Sequence, residues 1–308
     1  MRCIITGATS MLGCALIDEC IKNNTEVMAI VREGSIRENR ISKSDLVHIV
    51  HADIENFDNI EFDGLEYDAL YHFAWGYTSK FERNLATAQE KNIRDTLLVA
   101  DFALKFHCKK FIFAGSQAEY GSIDGVITPE TKPQPINAYG MAKLSAGMLS
   151  KLTCEQNNMK HIWTRIFSVY GTRDQEWTMI KYAVNSFMNR DKASFSAGTQ
   201  MWNYLYESDA GKMFYLLGTK DVESGIYHIA GNDTRPLRKY IEQIKEVWDK
   251  NHENSAECEF GSYGSINKVV GIQPDISKTI DAIGFMPEVS FVEGIKKVIE
   301  YMENDKML

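Results

Sequence analysis

Long apolar runs are missing from this sequence. No stretch of about 18 apolar residues occurs in its 308 positions, so no transmembrane helix is expected. Proline is scarce, at 6 residues, and no Gly/Ser- or Gln-rich tract is present, which argues against long disordered linkers. No basic run exceeds a Lys-Lys pair (Lys109–Lys110, Lys296–Lys297), and the formal net charge is -8. That balance excludes a nucleic-acid footprint and implies that any anionic ligand is held locally, by helix N-termini and a few chosen cations. The six cysteines (Cys3, Cys14, Cys20, Cys108, Cys154, Cys258) show neither CxxC nor Cys/His spacing, so no metal site is expected. Scattered, unpaired and set mostly in apolar surroundings, they fit a reducing cytosol.

What is present is ordinary globular material, 44% hydrophobic and 25% charged, and long enough for about two domains. Met1-Arg2 and the mostly apolar stretch to Ile17 imitate a signal peptide, but Thr6, Gly7, Thr9, Ser10 and Gly13 interrupt it in a pattern with its own explanation. A cytoplasmic location is therefore expected. Short apolar strands alternate with longer helical patterns through the first half. Strands are expected at Cys3–Thr6, Glu26–Val31, Leu46–His51, Ala69–Phe73, Lys110–Ala114 and His161–Ile166. Helices are expected at Leu12–Asn23, Glu82–Phe106 and Ala138–Asn157. This alternation implies parallel strands with right-handed crossovers, an α/β doubly wound sheet. After about residue 170 regularity falls. Met179–Asn189, Pro236–Asp249 and Ser290–Met302 read as helices, and Ser194–Phe195, Tyr204–Tyr206 and Gly225–Ile229 as strands. The expected division is a dinucleotide-binding domain over 1–168 and a smaller α/β substrate lobe over 169–308, with some later elements returning to the main sheet.

Thr6-Gly7-Ala8-Thr9-Ser10-Met11-Leu12-Gly13 lies between the first strand and the first helix. Glycine at the strand exit permits a tight turn, Gly13 permits close helix–strand packing, and the helix N-terminus offers N–H groups to a pyrophosphate. Thr9, Ser10, Met11 and Leu12 complete this expected cofactor turn, with Ser10 replacing the usual middle glycine. After the second strand, Arg32, with Ser35 or Arg37 behind it, favours the 2′-phosphate of NADP over NAD. Glu33 is adjacent and suits NAD, so NAD stays open. Asp53-Ile54, after the third strand, is expected near the adenine.

Tyr139 and Lys143 stand four apart on a predicted helix and so share a face. Ser116 ends the fifth strand, where doubly wound sheets collect ligands. Hydride transfer at a carbinol or ketone needs a proton moved at the oxygen. A phenol with a pKa of about 10 does this near neutrality only if a cation favours the phenolate and a hydroxyl aligns the substrate.

With these residues the chain resembles an extended short-chain dehydrogenase/reductase, the branch of sugar-nucleotide epimerases, dehydratases and 4-ketoreductases. The resemblance spans nearly the whole chain. Further motifs carry it: His72-Phe73-Ala74-Trp75, Asn92 ahead of Thr96-Leu97-Leu98, Arg165 through Gly171, Trp202 through Tyr206, and Pro274 through Pro287. It implies Ser116, Tyr139 and Lys143 as catalytic. It also implies cofactor contacts at Phe73, Ala74, Trp75, Asn92 and Ile166, and substrate contacts at Gln117 and Ser168. Trp202 stands where many relatives have an arginine for the diphosphate, so Arg235, Arg173 and Arg238 become candidates for that contact, although each also reads as a solvated surface residue. Tyr77 is placed to meet the sugar or to pack. Family 4,6-dehydratases follow the catalytic hydroxyl residue with aspartate and glutamate; Gln117 and Ala118 stand there instead, which disfavours dehydration. Arg32 and the Ser116–Gly121 segment tilt the expectation to NADPH-dependent reduction of a 4-keto(-6-deoxy) sugar nucleotide. NAD-dependent 4-epimerisation is the alternative, and a non-catalytic nucleotide-sensing Rossmann protein a second one that the Tyr/Lys pair argues against. The family habit of pairing two long helices, here 82–106 and 138–157, implies a homodimer.

Overall fold

The apolar runs of the first half become strands buried on both faces, as parallel sheets require. The computed structural model describes residues 1–79, 81–262 and 271–306. Its first half runs β1 (Arg2–Thr6), α1 (Met11–Lys22), β2 (Glu26–Val31), β3 (Val47–His51), β4 (Ala69–His72), α2 (Ala86–Lys105), β5 (Lys110–Ser116), α3 (Ala138–Gln156) and β6 (Lys160–Ile166). The second half runs β7 (Ser168–Tyr170), α4 (Met179–Met188), β8 (Ala193–Phe195), β9 (Met201–Tyr206), α5 (Glu207–Thr219), β10 (Gly225–Ile229), β11 (Thr234–Pro236), α6 (Leu237–Asn251), β12 (Cys258–Phe260), α7 (Ser277–Ile283) and α8 (Phe291–Lys306).

The large sheet is parallel in the order β10-β6-β5-β4-β1-β2-β3. From β1 the chain winds outward through β2 and β3, then returns to β4 on the other side of β1. The switch point therefore lies above the C-terminal ends of β1 and β4, where doubly wound sheets bind ligands. One face is covered by α1 and α5, with Leu16, Ile17, Met213, Phe214 and Leu217 in its core. The other is covered by α2 and α3 over Val99, Phe102, Phe106, Phe111 and Phe113. A smaller lobe closes around Ile180, Phe187, Ile244, Trp248, Ile295 and Val298. Among the described residues no helix is long and apolar enough to cross a membrane.

Three differences from the sequence pattern matter. The expected single helix over 82–106 is a short 3-10 turn, Glu82–Asn84, an extended Leu85 (φ -82°, ψ 100°) and then α2. Helix α5 escapes the pattern because Gly211 and Gly218 read as breakers. In the fold they are contact points: a Cβ at Gly211 would lie 2.7 Å from the Ala15 carbonyl carbon. Last, α5, β10 and α7 all pack on the large sheet although they belong to the second half of the chain.

Candidate active site

The turn after β1 is shaped by two close approaches. Gly7 adopts φ +70°, and a Cβ there would sit 2.6 Å from the Ala74 nitrogen; at Gly13 it would sit 2.8 Å from the Ala8 Cα. A side chain at either position is blocked by backbone. Ser10 Oγ accepts from the Gly13 N–H at 3.0 Å and so caps α1, while its own N–H bonds the Gly7 carbonyl at 2.9 Å. Ser10 thus replaces glycine without filling the groove, because its oxygen is turned to the helix end. Met11 and Leu12 begin that helix.

Beside this turn opens a cavity of about 590 Å³. Gly7, Thr9, Ser10, Arg32, Asp53, Ile54, Phe73, Ala74, Trp75, Tyr77 and Asn92 all line it, as do Ser35 and Arg37; Glu33 does not. Asn92 holds the wall by accepting from the Gly76 N–H at 2.8 Å and donating to the Gly76 carbonyl at 3.2 Å. Trp75 is fixed by its indole N–H on Gln89 at 3.1 Å. His72 is bonded at both ring nitrogens, to Thr6 Oγ1 and Thr96 Oγ1, and burial pushes its pKa down to about 3, so it is a neutral structural group. Phe57 and the ion-paired set Glu55, Lys91 and Asp95 also border the cavity. Nothing in their spacing marks them beforehand. The glycine-shaped turn, the helix N-terminus and a cavity of this size together fit a nicotinamide dinucleotide.

Met11, Leu12, Gly13, Tyr139, Lys143 and Ile166 stand outside that lining. Tyr139 and Lys143 are reached through Trp75, whose ring lies 6.0 Å from the Tyr139 ring and 3.6 Å below the Lys143 ammonium. Ile166 ends β6 opposite Ser116 on β5.

Asn137 caps α3 by accepting from the Gly140 N–H at 2.8 Å, which sets Tyr139 in its first turn and Lys143 one turn on. The Ser116 Oγ accepts from the Ala118 N–H at 3.2 Å. Ser116 itself is fixed by Glu119, whose Oε1 accepts the Ser116 N–H at 2.7 Å. Glu119 is fully buried, paired with Arg165 at 2.7 Å and bonded by Trp163 Nε1 at 3.3 Å. This carboxylate is a scaffold for the serine, a role that its place three residues after Ser116 permits but does not announce. Burial pushes the Tyr139 phenol up, while Arg83 and the Ser116 hydroxyl pull it down. Burial pushes the Lys143 ammonium down to about 7, and it donates to the Ala114 carbonyl at 2.6 Å. Arg83, inside the stretch expected to be helical, carries no motif; its guanidinium lies 4.1 Å over the Tyr139 ring.

The expected substrate positions divide. Gln117 Oε1 and Trp202 Nε1 are buried without a hydrogen-bond partner. Tyr77 lies on the cavity wall with φ +55°, and Ser168 begins β7. Arg173 is paired with Asp18 at 2.8 Å and Arg238 with Glu242 at 2.8 Å. Arg235 is paired with Asp233 at 3.2 Å and lies 4.1 Å over Tyr240. All three arginines have partners within the chain. No cluster of metal-ligating side chains occurs among the described residues.

A sequence profile of the NAD dependent epimerase/dehydratase family matches residues 3–230. The chain is 23% identical over 324 aligned positions to a Methanocaldococcus jannaschii protein provisionally named a UDP-glucose 4-epimerase, covering 98% of each. The UDP-glucose 4-epimerase of Thermotoga maritima, solved with UDP-glucose, superposes with a TM-score of 0.84 at 20% identity, covering 99% of this chain and 100% of that one. The UDP-glucuronic acid 4-epimerase of Bacillus cereus, solved with NAD, gives 0.81 at 18% identity, with 99% of each covered.

Proposed function

The chain belongs to the NAD dependent epimerase/dehydratase family, and from that premise we propose that it carries out oxidation–reduction at C4 of a nucleoside-diphosphate sugar. The observation that carries this reading is the placing of Tyr139 and Lys143 one turn apart on α3, with Arg83 and the Ser116 hydroxyl favouring the ionised phenol, beside the glycine-shaped cavity. Between the two reactions expected from the sequence, the relatives favour 4-epimerisation with NAD over 4-keto reduction: the two solved structures named above are 4-epimerases, one with NAD, and the third relative is provisionally named one. Reduction with NADPH stays as the second reading on one observation, that Arg32, Ser35 and Arg37 face the cavity while Glu33 does not. Three donors there suit a 2′-phosphate.

A bound nicotinamide supplies the hydride acceptor or donor. The protein does the rest. Tyr139 takes the C4 hydroxyl proton in oxidation and returns one in reduction, and Ser116 holds the same oxygen. Lys143 orients the cofactor ribose. Ala118 offers no proton for elimination, and the lone Glu119 is committed to Arg165. The smaller lobe, together with the unpartnered Gln117 Oε1 and Trp202 Nε1, receives the nucleotide sugar. We assign the dinucleotide to 1–168 with α5, β10 and α7, and the sugar nucleotide chiefly to the rest of 169–308.

Nucleotide sugars and their 4-keto forms, assayed with NAD, NADH, NADP and NADPH, test the reading. Epimerisation predicts interconversion of two 4-epimers with no net change in reduced-cofactor absorbance. Reduction predicts stoichiometric loss of NADPH with a 4-keto substrate. No turnover in any combination would refute both.

Assembly gives a second expectation. Met141, Met148, Leu149 and Leu152 form an exposed apolar stripe on α3, beside exposed Leu85 ahead of α2. We infer a homodimer through these helices, since monomers seldom expose so continuous a face. Light scattering is expected to give twice the chain mass for the native protein and one chain mass for Leu152→Glu; a monomeric native protein would refute it.

A further inference from the structure

We propose that Gln89 is a positioning residue for the nicotinamide end of the dinucleotide, acting through Trp75 and Tyr77, which it fixes against the cavity. The inference rests on the dinucleotide reading of that cavity given above and is independent of the reaction that follows. Gln89 stands in the first turn of α2 and is 1% exposed. Its one amide makes four hydrogen bonds. Oε1 accepts from the Trp75 indole N–H at 3.1 Å and from Asn92 Nδ2 at 3.3 Å. Nε2 donates to the Tyr77 carbonyl at 2.8 Å and to the Glu82 carbonyl at 3.3 Å. Glutamine suits this place because its amide carries an acceptor with two lone pairs beside two N–H donors, and all are used. One buried side chain thus ties the cavity wall, at Trp75 and Tyr77, to the 3-10 turn before α2.

What it fixes is a strained conformation. Tyr77 has φ +55°, in the left-handed region where a Cβ crowds the following carbonyl. Such a backbone persists only where its surroundings over-determine it. Here Asn92 bonds both the N–H and the carbonyl of Gly76, and Gln89 bonds the carbonyl of Tyr77. Trp75 and the half-exposed Tyr77 are thereby both placed on the cavity wall. This wall follows β4 and meets Tyr139 and Lys143 through Trp75, which makes it the nicotinamide end. Arg32, Ser35 and Asp53 follow β2 and β3 on the other side of β1, which makes theirs the adenosine end. A wall ordered before the ligand arrives spares the cost of ordering two large side chains on binding.

Isothermal titration calorimetry with NAD, NADP and ADP, after removal of any bound dinucleotide, tests the role. ADP carries the adenosine and pyrophosphate without the nicotinamide end. Gln89→Met keeps the length of the side chain and removes all its amide bonds. It is expected to raise the Kd of the tighter-binding dinucleotide by about tenfold or more, while the ADP Kd moves by less than about twofold. A merely structural role would loosen α2 as a whole. Since α2 also brings Lys91, Asn92 and Asp95 to the cavity, both affinities would then fall together. Tyr77→Gly and Tyr77→Ala are each expected to show the same selective loss, and they serve if Gln89→Met does not fold. Both lack the ring, but only glycine rests easily at positive φ, so the glycine variant is expected to melt at the higher temperature. Parallel losses of dinucleotide and ADP, an unmoved dinucleotide Kd, an alanine variant at least as stable as the glycine one, or a wild type that binds neither NAD nor NADP would each overturn the proposal. The last result would also remove the dinucleotide reading. Binding without turnover on any nucleotide sugar would remove only the reaction and leave the role of Gln89 standing.

Discussion

Tyr139→Phe is expected to lower kcat by about 10³-fold while the dinucleotide Kd changes by less than about threefold. General acid–base transfer by a placed side chain contributes about 10²–10⁴-fold, and phenylalanine removes only the oxygen that carries the proton. The ring remains, and with it the contact to Trp75 at 6.0 Å that supports the cavity wall. Tyr139 does not itself line the cavity, so cofactor affinity has little to lose. Rate and affinity therefore separate in this variant. Steady-state kinetics on the active substrate, with binding followed by isothermal titration calorimetry, make the comparison. A variant that keeps more than a tenth of wild-type kcat would remove Tyr139 from the proton path, and with it the assignment of Ser116 and Lys143.

Lys143→Met is expected to act on rate and stability in opposite directions. Activity falls by about 100-fold or more if, as proposed, this ammonium orients the cofactor ribose. Stability rises. Lys143 is 4% exposed, and burial pushes its pKa from 10.5 down to about 7. The folded state thus disfavours the charged form that the unfolded chain carries. Between pH 7 and about 10.5 the unfolded state binds more protons, so this group makes the protein more stable as pH rises and leaves its full penalty in place below pH 7. At about 1.4 kcal/mol per pH unit the penalty is bounded near 5 kcal/mol. The variant also forfeits the bond to the Ala114 carbonyl, about 1–3 kcal/mol. A net gain of about 2 kcal/mol at pH 7 is expected, shrinking as pH approaches 10.5. Urea unfolding of both proteins across this range, without dinucleotide, measures it. A variant less stable than wild type at pH 7, or a difference independent of pH, would show that the buried ammonium is not under strain.

The two variants together describe a site that holds its reactive groups against their solvation. His72 illustrates the bland counterpart. It is equally buried, but both nitrogens are bonded and it stays neutral, so it costs the fold little. Lys143 has one backbone acceptor and one aromatic face for a full charge. Such a group persists where function selects it.

How much of this was legible beforehand follows the range of the interactions. Strands β1, β2, β4 and β6 appear within a residue or so of their apolar runs, because burial on both faces demands uninterrupted hydrophobic stretches. The glycine turn and the i, i+4 Tyr139/Lys143 pair were legible for a similar reason: each is a local backbone or helix-face rule. Helix α5 was not legible, since Gly211 and Gly218 weigh against a helix until α1 is seen pressed against it. The preference for 4-keto reduction rested on Arg32, with Ser35 or Arg37 behind it for NADP, and on the Ser116–Gly121 segment. Arg32, Ser35 and Arg37 do face the cavity, yet the relatives favour 4-epimerisation, because cofactor choice and reaction are separate properties that cations at the second strand cannot join.

The chain by itself determined the parallel sheet, the glycine turn after β1, the phenol–lysine spacing and the lack of an acid at Ala118, all written in neighbouring residues. The tertiary structure alone decided which cation lies on the phenol, which glutamate braces the serine, and which arginines already have partners. Those are contacts between segments far apart along the chain: Arg83 with Tyr139, Glu119 with Arg165, Asp18 with Arg173. Electrostatic energy depends on distance through space and on burial, and neither has a period that a sequence pattern displays.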